Sequence, residues 1–215
     1  QAVFLVLTLS AAAAPAKPDD VYKAFAQKVK LDDAGLERWK KTSPQHVDML
    51  TNRDNWAKWA KKVHERTGLF KGDAILVSLL DERKACVAYG GGTVQTGGHI
   101  EISIPTASTC HIDRFNLILA HELTHVMHYT IGSRKGTPDW FREGLACYAA
   151  EQYLFVPGVR EIAPITDLPE SLKSPAQYGR ALLFFEYLDK EHGADKLRAA
   201  LKVIVEAKKP YQEAL

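Results

Sequence analysis

The sequence predicts an α+β fold in which a small sheet follows one helical region and precedes another. Apolar residues recur at helical spacing before residue 68, strand-like patterns lie between Ala74 and Pro105, and helical spacing returns from Asp113 onward. The chain has 215 residues, enough for one domain or for two small lobes that share a cleft. Its hydrophobic fraction of 46% and charged fraction of 25% are ordinary for a globular protein.

Residues 1–16 are expected to be a signal peptide, truncated at its start, and not part of the fold. Val3 to Leu9 is a short apolar run, small residues follow it, and Ala14-Pro15-Ala16 is one plausible cleavage site. The run is too short to span a bilayer, although a buried N-terminal helix is an alternative. The sequence therefore predicts a secreted or periplasmic protein without a stable membrane anchor after cleavage, whose single domain covers residues 17–215.

The net charge argues against one class of partner, and the cysteine spacing argues against one kind of metal site. The formal net charge is only +2 and the basic residues are dispersed, which argues against a nucleic-acid partner. Three cysteines allow one disulfide, for which Cys86 and Cys110 are the preferred pair because they flank the strand region. Cys147 is expected to be a buried free thiol in a helix. None of the three has C-x-x-C spacing, so a cysteine zinc site is not expected.

Residues 17–70 form the predicted helical N-terminal part. The first helix begins at Asp19-Asp20 and runs through Val29, and a second covers Asp32 to Lys40. A third begins near Asn52 and ends at Gly68, with one apolar stripe formed by Trp56, Trp59, Ala60 and Val63.

Residues 71–131 are predicted to contain the sheet and a long helix. The apolar run from Ala74 to Leu80 is typical of an interior strand, and Ala85 to Tyr89 is a second short strand. Gly90 to Gly92 is expected to be a loop. Gly98 to Pro105 alternates between polar and apolar residues, which predicts a strand with one solvated face.

Residues 132–215 form the predicted helical lobe. A turn-rich connector, Gly132 to Pro138, separates the long helix from the next one, and a proline-rich stretch covers Pro157 to Pro175. The long helix that precedes this lobe is predicted from Asp113 to Ile131. The predicted helices of the lobe itself are Asp139 to Tyr153, Ala176 to Glu191 and Ala194 to Glu206.

The most informative segment is the run from His121 to His125, which has the pattern H-E-x-x-H. Two histidines four residues apart lie on one face of a helix, so both imidazoles can reach one metal ion at about 2.0–2.1 Å. Glu122 points to one side, where it can take a proton from a water whose pKa zinc lowers toward about 7. The spacing thus provides two ligands and a general base.

A third ligand is expected on the next predicted helix. Glu143 lies eighteen residues after His125, beyond a connector long enough to turn the chain back, and Gly144 allows close helix packing. The metzincin arrangement is excluded, because Ile131 stands where that pattern requires a histidine. His128 is therefore interpreted as a residue of the core or one that supports a ligand.

The pair of segments Ala120 to His125 and Trp140 to Ala146 resembles the gluzincin zinc metallopeptidases, in particular the peptidase MA-like proteins related to aminopeptidase N and thermolysin-type catalytic cores. The resemblance covers about residues 74–201. It implies a zincin-like fold, Zn²⁺ bound by His121, His125 and Glu143, Glu122 as the catalytic base, and a peptide or protein substrate.

The resemblance implies one further catalytic residue. The segment from Gln177 to Phe185 is similar to the aminopeptidase segment in which a tyrosine stabilises the tetrahedral oxyanion, and Tyr178 is the matching position. A donor opposite the metal would stabilise the negative charge that develops on the attacked carbonyl. The alternative is a tyrosine that only packs at the start of a helix.

Three departures from the family pattern bear on the site and its substrate. Cys147 stands where thermolysin has an aspartate that holds a histidine ligand, so this support must come from elsewhere, with Asn116 or Asp113 as candidates. The segment from Gly97 to Glu101 only loosely matches the strand with which aminopeptidases capture the substrate amine. The strand from Gly98 to Pro105 could instead pair with an extended substrate, as in an endopeptidase.

Three functions are compatible with these sequence features. The first is an exported peptidase in which Glu122 activates water and later protonates the leaving amine. The second is a zinc-bearing but catalytically inactive module that binds a peptide or partner, which the general base at position 122 argues against. The third is a helical domain in which the motif has no metal.

Overall fold

The computed structural model describes residues 18–80, 87–93, 97–103, 110–132, 137–159 and 168–206. A four-stranded mixed sheet is combined with helices that make up most of these residues, so the predicted α+β fold class is confirmed. The predicted signal peptide, residues 1–16, lies outside the described residues.

Within the described residues, all strands lie before residue 104, and every later element is a helix. The strands are β1 Val29–Leu31, β2 Ile75–Leu79, β3 Val87–Thr93 and β4 Gly97–Ser103. The α-helices are α1 Pro18–Gln27, α2 Asp33–Thr42, α3 Pro44–Thr51, α4 Arg53–Thr67, α5 Ile112–Ile131, α6 Asp139–Ala150, α7 Pro175–His192 and α8 Ala194–Glu206, and a 3₁₀ helix covers Tyr153–Gly158.

The strand order of the sheet is β1-β2-β4-β3. β2 is parallel to both β1 and β4, whereas β3 is antiparallel to β4. Both edges of β4 are therefore occupied by neighbouring strands, and the hydrogen bonds that a substrate would need are already used within the sheet. The suggestion that this strand pairs with a substrate is wrong, and the outer strand on this side is β3.

Two predictions for the N-terminal part are also wrong. The first helix ends at Gln27, and Val29 belongs to β1, where it pairs with Ile75 and is buried. A β-branched residue suits this position, but the pairing is formed with a strand more than forty residues away and has no local signal. The helix α3 was not predicted, although Pro44 lies in its first turn and Val47 and Leu50 are buried.

The remaining helix boundaries agree closely with the predictions, except at the end of α6. The predicted helix to Tyr153 stops at Ala150, because Glu151 adopts a left-handed backbone conformation with φ of 57°. A non-glycine residue rarely has such a φ, so the sequence gives no stop signal there. Tyr153 instead begins the 3₁₀ helix.

The helix α5 occupies the centre of the molecule. All residues from 119 to 130 are buried, and the helix contacts β3 and β4 on one side and α4 and α6 on others. The H-E-x-x-H residues therefore belong to the interior, where polar side chains need partners. None of the described helices combines the length and the apolar character that crossing a bilayer requires.

The cysteines have separate roles. Cys110 forms a disulfide, and its preferred partner, Cys86, lies outside the described residues. Cys147 is a free thiol that is fully buried in α6, as predicted.

Candidate metal centre

Three side chains from two helices meet at one point. His121 and His125 of α5 approach each other with 3.1 Å between their Nε2 atoms. The carboxylate of Glu143 on α6 lies 3.2 Å from Nε2 of His121 through Oε2 and 3.4 Å from Nε2 of His125 through Oε1. The structure thus brings together the three residues predicted as metal ligands, and they form a group that can hold a metal ion.

The three residues each offer a donor atom, and these atoms lie within 4.8 Å of one another, close enough to share a metal ion. An ion that binds nitrogen at about 2.0–2.1 Å with tetrahedral angles separates its ligand atoms by roughly 3.3–3.4 Å. The two imidazole nitrogens lie 3.1 Å apart, and each has a carboxylate oxygen of Glu143 nearby, Oε2 at 3.2 Å from His121 and Oε1 at 3.4 Å from His125. Two histidine nitrogens that face each other at 3.1 Å cannot both donate a proton, so at least one points its lone pair toward this centre.

Opposite charges on Glu143 and His121 offset the cost of burying these side chains. Burial alone would raise the pKa of Glu143, but hydrogen bonds from His121 and His125 hold it far below its usual range. Burial alone would lower the pKa of His121, but contacts with Cys147 and Glu143 raise it well above its usual value. The centre therefore strongly favours a negative carboxylate beside a positive charge, which a bound cation would also supply.

Glu122 is held in a defined orientation beside this group. It is only 8% exposed, and its Oε2 accepts a hydrogen bond from the backbone N–H of Gly90 in β3 at 2.5 Å. The backbone of α5 passes so close to Gly90 that a Cβ there would lie 2.2 Å from the carbonyl oxygen of Glu122. The predicted loop at Gly90 to Gly92 is therefore wrong: these glycines belong to β3 because the helix packs directly on the strand.

The candidate metal-binding group, His121, His125 and Glu143, opens into a cavity of about 380 Å³. Its wall combines these three side chains and Glu122 with residues of β3, α5, the 3₁₀ helix and α7. The lining residues are Ala88, Tyr89, Gly90, Arg114, Ile118, His121, Glu122, His125, Tyr129, Glu143, Gln152, Phe155 and Tyr178.

Tyr178 of α7 lines this cavity and is partly buried. Its ring lies 5.3 Å from that of Phe155, so it also packs at the start of its helix. Burial raises its pKa, and the nearby carboxylate of Glu143 raises it further, so the hydroxyl keeps its proton at neutral pH. Both interpretations of Tyr178, as a packing residue and as a donor beside the metal-binding group, are compatible with this position.

Gln152 contacts His121, one of the candidate ligands, and was not among the residues predicted from the sequence. Its Oε1 lies 2.9 Å from Nδ1 of His121, and the residue is 4% exposed. A carbonyl oxygen accepts, so Nδ1 carries a proton, and Nε2 is the nitrogen that can bind a metal ion once its own proton is released. The local signal is weak, because the left-handed turn at Glu151 is what directs Gln152 back toward the metal-binding group.

The residues predicted for this supporting role lie elsewhere. Asn116 accepts a hydrogen bond from the indole N–H of Trp59, and Asp113 is exposed near the start of α5. Cys147 lies 3.8 Å from Nδ1 of His121 through its sulfur, on the side where Gln152 binds. His128 is buried in α5 and its ring lies 5.4 Å from that of Tyr129, which agrees with a core residue.

We expect Gln152→Ala to weaken metal binding by about 10–100-fold, because His121 loses the acceptor that fixes its proton on Nδ1. Gln152→Glu keeps an acceptor and should retain most of the affinity. Competition with a chromogenic chelator measures both values, and Gln45→Ala, at an exposed position of α3, is the control. Equal affinities for all three variants would mean that Gln152 does not support the ligand.

In comparisons with known proteins, no protein-family model, curated protein or solved structure matches the chain. Its chemistry must therefore be inferred from the residues themselves. What the structure establishes is a buried His-His-Glu group, with H-x-x-x-H spacing on one helix, that can hold a metal ion.

Proposed function

We propose that the chain is a zinc-dependent peptidase of the gluzincin type. The observation that carries this proposal is that Glu122 and the group of His121, His125 and Glu143 line the same cavity. A site that only stores a metal has no use for an additional carboxylate beside it. A hydrolytic site needs that carboxylate as a base.

Zinc is the metal that fits this donor set best. Two imidazole nitrogens and one carboxylate oxygen are typical of catalytic zinc sites, which keep another position open. The cavity beside the three donors provides room for that position. When bound there, zinc polarises the substrate carbonyl and lowers the pKa of water.

Glu122 is proposed to act as the general base and then as the general acid. Its carboxylate takes a proton from the attacking water and passes it to the leaving amine. The N–H of Gly90 holds one carboxylate oxygen, which leaves the other available for the proton. His121, His125 and Glu143 hold the ion, and Gln152 keeps His121 in the tautomer that can bind it.

The position of β3 supports an extended peptide as substrate. In the described sheet this strand pairs with β4 on one edge only, and Ala88, Tyr89 and Gly90 line the cavity. An outer strand can bind an extended segment through backbone hydrogen bonds at its other edge, with the N–H of Gly90 reserved for Glu122. Binding of this kind does not require a free terminus, so it favours internal cleavage.

Tyr178 is proposed to donate a hydrogen bond to the oxyanion. We expect Tyr178→Phe to keep its metal and to lose about 10²–10³-fold in kcat, since the charge that develops in the transition state loses a donor. Tyr187→Phe is the matched control, because Tyr187 lies on the same helix and is 59% exposed. A wild-type kcat for Tyr178→Phe would limit that residue to packing.

The proposal is tested on the purified chain with and without zinc. Elemental analysis after dialysis should give one zinc per chain, and a mixed library of internally quenched peptides should be cleaved by the zinc-loaded protein only. Removal of zinc with a chelator should abolish cleavage, and zinc should restore it. Stoichiometric zinc without any cleavage would instead identify a binding module, and absence of stoichiometric zinc would contradict both functions.

A further inference from the structure

The cavity contains a cation that the proposed reaction does not use. Arg114 lines the cavity from the first turn of α5 and is exposed. The acidic residues of the cavity wall are Glu122 and Glu143, and both of these carboxylates already have partners.

Arg114, by contrast, has no partner among the described residues. None of the hydrogen bonds or ion pairs within that part of the chain involves it. Most exposed arginines simply project into solvent, but this one lines a cavity whose wall also contains aromatic side chains and two carboxylates that already have partners. A guanidinium at such a position provides a planar set of donors that matches a carboxylate in two parallel hydrogen bonds.

The position of Arg114 on the helix places it at a fixed distance from the reacting bond. It precedes His121 by seven residues, which brings both side chains to the same face of α5. Seven residues correspond to about 10.5 Å along a helix axis. An extended peptide covers this length with roughly three residues at about 3.3–3.6 Å each.

We propose that Arg114 binds a carboxylate of the substrate and so gives the cavity a preference for acidic peptides. This inference rests on the proposed peptidase function and names the substrate class of that site. The carboxylate lies within about three residues of the scissile bond, on the side toward the start of α5. It belongs either to an Asp or Glu side chain or to the C-terminus of the peptide.

Peptide binding tests this inference independently of cleavage. Fluorescent peptides carrying Glu, Gln or Lys at each position up to about three residues from the central bond are titrated into the zinc-loaded Glu122→Gln variant, with free or amidated C-termini. We expect a Kd for one Glu position that is about tenfold lower than for its Gln counterpart. A preference that disappears on amidation would identify the C-terminal carboxylate as the group bound.

The Arg114→Gln substitution, made in the same background, should remove this preference, and Arg114→Lys should retain part of it. Lys58→Gln makes the same charge change at an exposed position outside the lining of the cavity and should leave the preference intact. A preference that survives in Arg114→Gln, or the absence of any preference in the parent protein, would overturn the inference.

Cleavage of the same peptides by the wild-type chain separates the two proposals. Cleavage without any acidic preference contradicts the role of Arg114 alone. Acid-dependent binding without cleavage supports the carboxylate site and contradicts the peptidase function.

Discussion

The Glu122→Gln variant should retain its zinc and lose about 10²–10⁴-fold in kcat/KM for peptide hydrolysis, the range typical of general acid–base catalysis. The amide has nearly the same shape as the carboxylate and can still accept the hydrogen bond from the N–H of Gly90. It cannot take a proton from water. Since Glu122 is not one of the three grouped ligands, the metal content should not change.

Three measurements on one preparation make this result decisive. Elemental analysis gives the zinc content, thermal unfolding gives the stability, and cleavage of the internally quenched library gives kcat/KM. Glu101→Gln, which makes the same change on the exposed face of β4, is the control. A Glu122→Gln protein that cleaves peptides as fast as the wild type would show that this residue is not the base.

The Glu143→Ala variant should lose zinc at concentrations that saturate the wild type, and with it all measurable cleavage. The substitution leaves two imidazoles, fewer protein ligands than catalytic zinc sites have. We expect the affinity to fall by more than the roughly 10–100-fold that loss of a supporting residue causes. Without the carboxylate, the two buried contacts of Glu143 with His121 and His125 are also lost.

Metal affinity is again measured by competition with a chromogenic chelator, and circular dichroism checks that the zinc-free variant is folded. Glu191→Ala, at an exposed position near the end of α7, is the control for loss of one acidic residue. If Glu143→Ala bound zinc as tightly as the wild type, a different residue would have to supply the third ligand. The gluzincin proposal would then fail, even with Glu122 intact.

Predictions that rely on local spacing agree well with the structure. The i, i+4 spacing of His121 and His125 on a helix is sufficient to place two imidazoles together. The helix boundaries of α5 and α8 follow from periodicity in the same way, and the apolar run from Ala74 to Leu80 correctly predicts the interior strand β2. The sequence predicts Glu143 as a ligand because its segment follows a short connector and belongs to a helix of its own.

Predictions that depend on contacts between distant segments were the ones that failed. Val29 was placed in a helix, although pairing with Ile75 makes it part of a strand. The glycines from Gly90 to Gly92 signal a loop on local grounds, and only the close passage of α5 explains them within β3. The sequence predicts Asn116 or Asp113 as the residue that supports a histidine ligand. Nothing in the sequence near Gln152 indicates that its side chain points toward His121.

The sequence by itself determined the fold class, the long helix and the two imidazoles four residues apart, because helix geometry fixes the relation between neighbours along the chain. Only the tertiary structure decided how far the carboxylate of Glu143 lies from those imidazoles, and that Gln152 and Gly90 orient His121 and Glu122. It also decided that β3, rather than β4, is the outer strand at the cavity. These arrangements depend on packing between segments that are far apart in sequence. The spacing of residues along the chain does not reveal how close such segments lie in the folded protein.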